Sequence, residues 1–383
     1  MRYDFNIPLT FRHRILFERD VFAPGNPVLE ELLEKRAGTK VFVLVEKALA
    51  EIDPELESKA VSKAREVLGG DSVASQVFVG GEDCKVDESV YNAMCDAIAD
   101  AGIDRHSYVF AIGGGAFLDV AGFAAATVHR GVRLVRFPTT TLSQDDSGVG
   151  VKCGINKYGK KNFMGAFAVP YAVVNDFTFL HTQPEDIRRG GLVEAVKVAL
   201  VKDAAFFAWL EDNVAGLNAL RPPVLEEAVE RSAVLHAKHI AEGGDPFESG
   251  SSRPLDFGHW AAHKMEQLSD FELSHAKAVS VGLALDCVYS VKKGLLAQAD
   301  AERILKVLEG LQLPCWDDLL DQTNDEGRRT VLAGLEEFRE HLGGQLTILL
   351  LKEPGVGVDV HEMDESLLEE AIAELRERVL QVA

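Results

Sequence analysis

Three consecutive glycines, Gly113, Gly114 and Gly115, constrain the fold of this chain more than any other feature of its sequence. The apolar residues 108–112 precede them with the composition of a strand, and residues 117–127 follow with a helical pattern. A strand that enters a helix through bare glycines lets backbone N–H groups approach a pyrophosphate at the helix N-terminus. The alternative is a tight turn in which glycine supplies a positive φ. The triplet alone leaves both interpretations open.

Strand-like and helical segments alternate through the first half of the chain. The strand-like runs cover residues 40–45, 76–79, 108–112, 132–137 and 171–174. This alternation predicts a Rossmann-like α/β domain with a largely parallel sheet over residues 1–184. We expect residues 6–21 to form an antiparallel hairpin at the edge of that sheet.

Strand signals nearly vanish after residue 184, and amphipathic helical periods replace them. These periods cover residues 187–210, 223–241, 259–267, 276–293, 299–311 and 365–382. The late apolar run 345–351 is a candidate strand or hairpin. We therefore predict a second, mainly α-helical domain over residues 185–383.

The composition limits the partners of the chain. Its 383 residues include 40 basic and 61 acidic side chains, for a formal net charge of −21. This charge repels nucleic acid and anionic membranes, so we expect neither as a partner. An anionic substrate must instead meet a local basic cluster.

The remaining composition favours a cytoplasmic protein. No apolar run has the length of a membrane span, and the first residues do not resemble a signal peptide. The five cysteines are scattered without paired spacing, as expected of reduced thiols.

Several spacings indicate sites. Glu194 and Lys197 lie three residues apart on a predicted helix, so both project from one face. His259 and His263 lie four apart, and spacing alone would make them a local metal clasp. Glu46 ends a strand-like run, where an acid can hydrogen-bond a ribose diol.

Three longer motifs, at residues 138–167, 190–197 and 256–263, follow in order along the chain. Together they resemble the motifs of the sugar-phosphate cyclase superfamily, which includes 3-dehydroquinate synthase. The resemblance extends from about residue 41 to residue 350. It implies a dehydroquinate synthase-like fold, a carbon–oxygen lyase activity, and the cofactors NAD and Zn²⁺ or Co²⁺.

The resemblance also implies which residues hold the cofactors. The positions expected to bind NAD are Glu46, Glu82, Lys85, Gly114, Gly115, Asp119, Thr139, Thr140, Lys161 and Thr182. It assigns the metal to Glu194, His259 and His275, in place of the His259–His263 clasp. One carboxylate and two imidazoles suit zinc with positions left open for substrate.

For the reaction, the resemblance implies oxidation by NAD, loss of phosphate, return of the hydride, and closure of a carbocycle. The positions expected to act on the sugar phosphate are Arg130, Asp146, Lys152, Asn162, Lys197, Lys238, Glu248, Arg253, Asp256, His263 and Arg339. Glu248 and His263 stand at proton-transfer positions. Arg130 is expected to reach the phosphate across the interface of a homodimer.

The chain departs from 3-dehydroquinate synthase near the third motif. Arg253 lies one residue closer to His259 than in that pattern and precedes a proline, and Asp256 replaces an asparagine. Sedoheptulose 7-phosphate cyclases also have Arg-Pro six residues before the metal-binding histidine. The sequence as a whole is similar to the cyclases of ebo-type biosynthetic clusters. An aspartate beside a substrate carboxylate is unfavourable. We therefore expect sedoheptulose 7-phosphate as substrate and a valiolone-type cyclitol as product, with 3-dehydroquinate synthase as the alternative.

Two other classes remain as alternatives. A NAD-dependent polyol dehydrogenase has the same two-domain fold, but it needs no phosphate clamp such as Lys152, Asn162 and Lys197. A catalytically silent binding protein is disfavoured because every expected metal position is filled.

Overall fold

The computed structural model describes residues 1–69, 72–247, 254–341 and 344–382. Its contacts divide the chain into two compact units. Met1–Ser143 and Ser147–Thr182 form the first unit. Gln144–Asp146 and Gln183–Ala383 form the second, so three residues of the first long motif belong to the helical unit.

The strands of the structure are β1 Ile15–Glu18, β2 Val41–Glu46, β3 Val73–Phe78, β4 Tyr108–Gly113, β5 Arg133–Pro138, β6 Lys152–Lys157, β7 Lys160–Phe167, β8 Ala172–Asp176, β9 Ile348–Glu353 and β10 Val356–Val360. The helices are α1 Val28–Leu32, α2 Lys47–Ile52, α3 Leu56–Leu68, α4 Asp83–Val86, α5 Glu88–Asp100, α6 Gly115–Thr127, α7 Glu185–Lys202, α8 Ala204–Asn218, α9 Pro222–Glu242, α10 His259–Leu268, α11 His275–Lys292, α12 Gln298–Gly310, α13 Ala333–His341 and α14 Glu365–Val382.

A six-stranded parallel sheet organises the first unit, in the order β1-β8-β5-β4-β2-β3. Both of its faces are buried. On β4, for example, Tyr108, Phe110 and Ile112 pack in one apolar cluster, whereas Val109 and Ala111 pack in another. This explains why the strands read as continuous apolar runs in the sequence. The predicted α/β domain with a parallel sheet is confirmed.

The strand order contains a switch point between β2 and β4. The chain leaves β2 for β3 on one side of the sheet and leaves β4 for β5 on the other. In open α/β sheets, ligands bind outside the carboxyl ends of strands at such a point. Glu46 ends β2 and Gly113 ends β4, so both lie at this position.

The edge of the sheet differs from the prediction. Residues 6–21 do not form an antiparallel hairpin, because β1 pairs in parallel with β8, with Ile15 opposite Val173. The sequence prediction also missed an antiparallel hairpin, β6–β7, whose turn is Tyr158-Gly159, both with positive φ.

The second unit is mainly helical, as predicted, and the late apolar run forms the antiparallel hairpin β9–β10. The helical period predicted for residues 187–210 is two helices, α7 and α8. Asp203 separates them because its side chain accepts hydrogen bonds from the N–H groups of Ala205 and Phe206 and so begins α8.

Close packing of α10 against α11 depends on two glycines. Gly258 precedes α10 with φ +77°, and a Cβ on Gly282 of α11 would lie 2.0 Å from the Gly258 oxygen. Within the described residues, no helix is long and apolar enough to span a membrane.

Candidate active site

At the switch point of the sheet, Glu46 connects the turn at Gly81 to the turn at Gly113–Gly115. One carboxylate oxygen, Oε2, accepts a hydrogen bond of 2.7 Å from the Gly114 N–H. The other, Oε1, accepts one of 3.0 Å from the Gly81 N–H. Glu46, which the sequence predicts to bind a ribose, therefore lies beside the start of α6.

The three glycines are required because neighbouring side chains approach their backbone closely. None of Gly113, Gly114 and Gly115 has a positive φ, so the alternative of a turn that needs positive φ is wrong. A Cβ on Gly113 would lie 2.5 Å from Phe117 Cδ1, and one on Gly115 would lie 2.5 Å from Ser147 Oγ. The turn is thus a cradle that side chains would fill, and it fits a pyrophosphate at the N-terminus of α6.

Lys85 and Asp119 form a buried ion pair near this turn. Lys85 Nζ lies 2.6 Å from Asp119 Oδ2, and Lys85 is almost completely buried. Burial alone would lower the pKa of Lys85, but the carboxylate of Asp119 outweighs it and raises that pKa above its ordinary value. The pair joins α4 to α6, which brings two of the predicted NAD positions into contact.

The other predicted NAD positions also lie in the first unit. Glu82 and Thr182 are exposed, and the Thr182 hydroxyl donates to the Phe179 oxygen. Thr140 forms hydrogen bonds with Ser143 Oγ directly after β5, and its neighbour Thr139 is buried. Lys161 is half-buried on β7.

Glu194, His259 and His275 form the candidate metal cluster of the described residues. One ligand atom from each lies within 4.8 Å of the other two. Glu194 Oε1 is 3.9 Å from His259 Nε2 and 3.7 Å from His275 Nε2. The three residues come from α7, α10 and α11, so packing of these helices assembles the cluster.

These separations fit a metal ion. Two ligands at ~2.1 Å from a tetrahedral zinc ion are about 3.4 Å apart. The observed 3.7 and 3.9 Å are slightly longer than this edge and too long for hydrogen bonds. The donor set and spacing therefore fit a divalent cation with protein ligands on one side.

Neighbouring groups leave the Nε2 atoms facing Glu194. His259 Nδ1 lies 3.0 Å from the Phe257 oxygen, and His275 Nδ1 lies 3.2 Å from Glu266 Oε1. Such contacts to the second ring nitrogen are typical of metal-binding histidines. Burial and the charge of Lys197 hold the pKa of His259 well below its usual value, which favours the neutral form that binds metals.

A charged network adjoins the metal cluster. Lys197 Nζ forms an ion pair with Glu194 Oε2 and lies 3.9 Å from Asp146 Oδ1. Although burial opposes it, these carboxylates raise the pKa of Lys197, so this buried residue remains a cation. Burial also opposes the charge of Asp146, but Lys197 and His236 hold the pKa of Asp146 below its ordinary value.

The structure distinguishes His263 from the metal cluster. The His263 ring lies 5.4 Å from the His259 ring and 6.3 Å from the His275 ring, between centroids. The compact group of ligand atoms nevertheless contains His275 and not His263. The geometry favours the set implied by the resemblance over the local clasp.

The other predicted substrate positions are distributed over both units. Asp256 is half-buried and close enough to Lys197 to help raise its pKa, whereas Lys238 is exposed on α9. Arg339 is exposed on α13 and forms an ion pair with Glu336. Glu248 and Arg253 lie outside the described residues.

Three predicted positions are exposed in the first unit. Lys152 begins β6, and Asn162 on β7 has φ +52° and donates its N–H to Asn156 Oδ1. Arg130 follows α6 with φ +63°, directly after His129 with φ +53°.

Sequence reasoning missed four residues of this region. His236 Nδ1 lies 2.9 Å from Asp146 Oδ1, and Glu266 contacts His275. Asp145 is fully buried, and its pKa is well above the ordinary value because of burial and the charges of Asp146 and Glu194.

The fourth missed residue, Asp286, supports the start of α10. Its Oδ2 accepts the Gly258 N–H at 3.0 Å, and its Oδ1 accepts the Trp260 indole N–H at 2.8 Å. Burial raises the pKa of Asp286 to about 7. The carboxyl group holds both neighbours of His259 in place.

The comparisons with known proteins agree with this fold. Residues 75–189 match the family "3-dehydroquinate synthase N-terminal", and residues 191–329 match "3-dehydroquinate synthase C-terminal". The 3-dehydroquinate synthase of Acinetobacter baumannii (strain SDF) is 37% identical over 306 residues, which cover 79% of this chain and 82% of that protein.

Two solved structures are similar over almost the whole chain. A 2-epi-5-epi-valiolone synthase from Streptomyces hygroscopicus subsp. jinggangensis 5008, with NAD⁺ and Zn²⁺ bound, has a TM-score of 0.87 and 27% identity, covering 98% of this chain and all of the other. A 2-deoxy-scyllo-inosose synthase has a TM-score of 0.79 and 21% identity, covering 94% of this chain and 96% of the other. The second likeness concerns the fold alone.

Fold and site together define a two-unit protein with a dinucleotide-type glycine turn and a candidate metal centre. The chain belongs to the 3-dehydroquinate synthase family. It is a sugar-phosphate cyclase of that family, and hence a phosphate-eliminating carbon–oxygen lyase.

Proposed function

We propose that this cyclase uses NAD and a divalent metal ion to eliminate phosphate from sedoheptulose 7-phosphate and to close a valiolone-type carbocycle. The observation that carries the choice of substrate is the half-buried Asp256, which lies three residues before His259 and acts electrostatically on Lys197. The likeness to a 2-epi-5-epi-valiolone synthase at 27% identity supports the same choice.

The metal would be held by Glu194, His259 and His275. A bound divalent cation supplies Lewis-acid polarisation of substrate oxygens. Glu194 adds negative charge to the site, and Lys197 offsets part of it from the opposite carboxylate oxygen. The two imidazoles are oriented by the Phe257 oxygen and by Glu266, so the ligand atoms are organised in advance.

NAD would bind at the glycine turn, where Glu46 and the start of α6 meet. The bound nicotinamide supplies a hydride acceptor that is regenerated when the hydride returns. Glu46 would exchange its hydrogen bonds with the Gly81 and Gly114 N–H groups for the ribose hydroxyls. The amides released in this way would face the pyrophosphate.

Charges around the metal cluster argue against a substrate carboxylate there. In the second unit, the carboxylates of Glu194, Asp146 and Asp256 act on the buried Lys197, and Glu266 contacts His275. Two like charges ~4 Å apart cost about 1 kcal/mol in water and about 4 kcal/mol at a partly buried site. A hydroxymethyl group instead donates a hydrogen bond to Asp256. Sedoheptulose 7-phosphate carries that group where the precursor of 3-dehydroquinate carries a carboxylate.

We also propose a homodimer in which Arg130 acts on the phosphate of the partner's substrate. Arg130 and His129 are exposed non-glycine residues in the left-handed region, which costs ~1 kcal/mol or more for each. Such strain is common where a side chain must be presented to a ligand. The Arg130 side chain is exposed in this turn.

The experiment that tests the substrate is a comparison of two sugar phosphates. We expect kcat/KM for sedoheptulose 7-phosphate to exceed that for the carboxylate-bearing precursor of 3-dehydroquinate by at least ~10-fold, which requires about 1.4 kcal/mol. Release of inorganic phosphate with purified enzyme, NAD and Zn²⁺ measures both rates.

The second candidate function is 3-dehydroquinate synthase itself. The observation that favours it is the name of the curated relative at 37% identity. A preference for the carboxylate-bearing substrate would select this function. In that case Lys238 and Arg253 would neutralise the carboxylate.

A further inference from the structure

A guanidinium group lies fully buried in the parallel sheet, on the face that packs against α6. It belongs to Arg136 on β5, which is 1% exposed. Its neighbours in the strand alternate between the faces of the sheet: Val135 and Phe137 belong to one apolar cluster, and Leu134 belongs to the other. Side chains two apart on a strand share a face, so Arg136 lies on the Leu134 side. A charge buried there is unfavourable unless its N–H groups are bonded.

The terminal nitrogens of Arg136 donate to three carbonyl oxygens of one segment, residues 148–152. Nη1 donates to the Gly148 oxygen at 3.1 Å and to the Gly150 oxygen at 2.6 Å. Nη2 donates to the Lys152 oxygen at 3.2 Å. The three acceptors are alternate residues, so this one side chain takes the place of a partner strand along the segment.

The other carbonyl groups of the segment are bonded to different parts of the first unit. The Val149 oxygen lies 2.7 Å from His13 Nε2, and the Val151 oxygen accepts the N–H of Ala168 at 2.8 Å. Every carbonyl oxygen of residues 148–152 therefore has a partner. The segment is held in one conformation, and Arg136 supplies most of these contacts.

Arg136 also joins the segment to α6. A Cβ on Gly122 of α6 would lie 3.1 Å from Arg136 Nη2 and 3.0 Å from Cys153 Cβ, so a larger residue would crowd the guanidinium. Burial lowers the pKa of Arg136, and the charge of Asp119, one turn earlier on α6, opposes this effect. Arg136 thus acts on a helix that carries a predicted NAD position and on the backbone of Lys152, a predicted sugar-phosphate position.

We propose that Arg136 is a positioning residue of the cyclase, which fixes the backbone of residues 148–152 and thereby sets the place of the Lys152 side chain. Lys152 is the first residue of β6, and its side chain is exposed. A lysine side chain is long and flexible, so its charge is placed accurately only from a fixed backbone. Arg136 itself is too deeply buried to contact a substrate. The inference rests on the role proposed for Lys152 at the sugar phosphate.

The chemistry of the guanidinium suits this task. Arginine donates from several N–H groups held in one plane, whereas lysine donates from a single nitrogen. An apolar residue of similar volume would pack as well in the sheet, but it would leave the three carbonyl groups without their donor. The buried charge is therefore explained by the segment that it holds and not by the packing of the sheet.

The test is a double-mutant cycle on the holoenzyme, using whichever of the two sugar phosphates it turns over. Arg136→Gln should raise KM for the sugar phosphate at least ~10-fold and change kcat less, because a displaced Lys152 binds the substrate less well. In a Lys152→Ala background, Arg136→Gln should change kcat/KM by less than ~2-fold, because the residue through which it acts is already gone. NADH binding, measured by fluorescence, should change much less than KM in each variant.

Leu134→Ala is the matched control. Leu134 is buried on the same face of β5, and its truncation leaves a cavity without removing a hydrogen-bond donor. This variant should unfold at a lower temperature than the wild type and keep the wild-type KM. Arg136→Lys, which keeps the charge and part of the donors, should have an intermediate KM and serves for the same comparison if Arg136→Gln does not fold.

The outcomes separate a positioning role from a structural one. Equal increases of KM in Arg136→Gln and Leu134→Ala would show a general loss of structure and overturn the proposal. Effects of Arg136→Gln and Lys152→Ala on kcat/KM that multiply would overturn it too, since Arg136 would then act through other residues. A wild-type KM in Lys152→Ala removes the role of Lys152 and this inference with it, whereas a wild type that releases no phosphate contradicts the proposed function itself.

Discussion

Glu194 Oε1 and His275 Nε2 lie 3.7 Å apart, at a separation that suits two ligands of one metal ion better than a hydrogen bond. Glu194 is buried on α7, and His275 is the first residue of α11. No regular spacing in the sequence relates the two residues. Helix packing brings them together, and His259 on α10 completes the group.

Replacing His275 should remove the metal, whereas replacing His263 should not. We expect His275→Ala to weaken metal binding at least ~100-fold, because it removes a ligand, and His263→Ala to change it only a few-fold. Metal analysis of the purified variants, followed by Co²⁺ titration of the metal-free proteins, measures this. Full metal content in His275→Ala would refute the assignment.

Arg130 should act in the partner's site, which mixed dimers can reveal. Arg130→Ala and Lys197→Ala should each be nearly inactive alone. Denatured together in equal amounts and refolded, they should recover about a quarter of wild-type activity, because half of the dimers are mixed and each mixed dimer has one complete site. If Arg130 acted in its own protomer, every mixed site would be defective and the mixture would stay inactive.

Asp286 should make stability depend on pH. Its pKa is raised from 3.8 to about 7 by burial, so between these values the folded state holds a proton that the unfolded chain has lost. Its contribution to the free energy of unfolding therefore falls as pH rises towards 7, by about 1.4 kcal/mol per pH unit. In urea unfolding, the free energy of unfolding of the wild type minus that of Asp286→Asn should therefore decrease as pH increases from about 5 to about 7.

The control for this prediction is Asp325→Asn, which changes an exposed aspartate. Its difference from the wild type should stay constant over the same pH range. A constant difference for Asp286→Asn as well would show that Asp286 is charged throughout, held by the N–H groups of Gly258 and Trp260.

The parallel sheet was predictable because both of its faces are buried, and β2 and β4 therefore appear as unbroken apolar runs. The single long helix predicted for residues 187–210 is divided at Asp203, whose side chain caps the start of α8. The edge strand β1 was misassigned because its partner, β8, lies far along the chain, with Ile15 opposite Val173, and no nearby turn signal indicates that pairing.

The residues of the candidate site were predictable only through the resemblance to the family's motifs, which occur in the same order along this chain. Glu194, His259 and His275 were identified through the family resemblance, while spacing alone favoured His263. His236 and Asp286 were missed because their partners, Asp146 and Trp260, are distant in sequence. Such contacts depend on tertiary packing, and helical periodicity does not encode them.

Asp256 should set the preference for a substrate with a hydroxymethyl group over one with a carboxylate. Asp256→Asn removes the negative charge and keeps the shape, so it should narrow the ratio of kcat/KM between sedoheptulose 7-phosphate and the carboxylate-bearing substrate by several-fold. Glu377→Gln, which changes an exposed acid on α14, is the charge-matched control and should leave the ratio unchanged. An unaltered ratio in Asp256→Asn would place the discrimination elsewhere.

The most direct test of a cyclase that recycles its cofactor is the balance between inorganic phosphate and NADH. With sedoheptulose 7-phosphate in large excess over NAD, each enzyme should release many phosphates per NAD, and no NADH should accumulate. The account predicts phosphate in amounts equal to the carbocyclic product. NADH formed in equal amount to the product, without phosphate release, would contradict it and identify a polyol dehydrogenase.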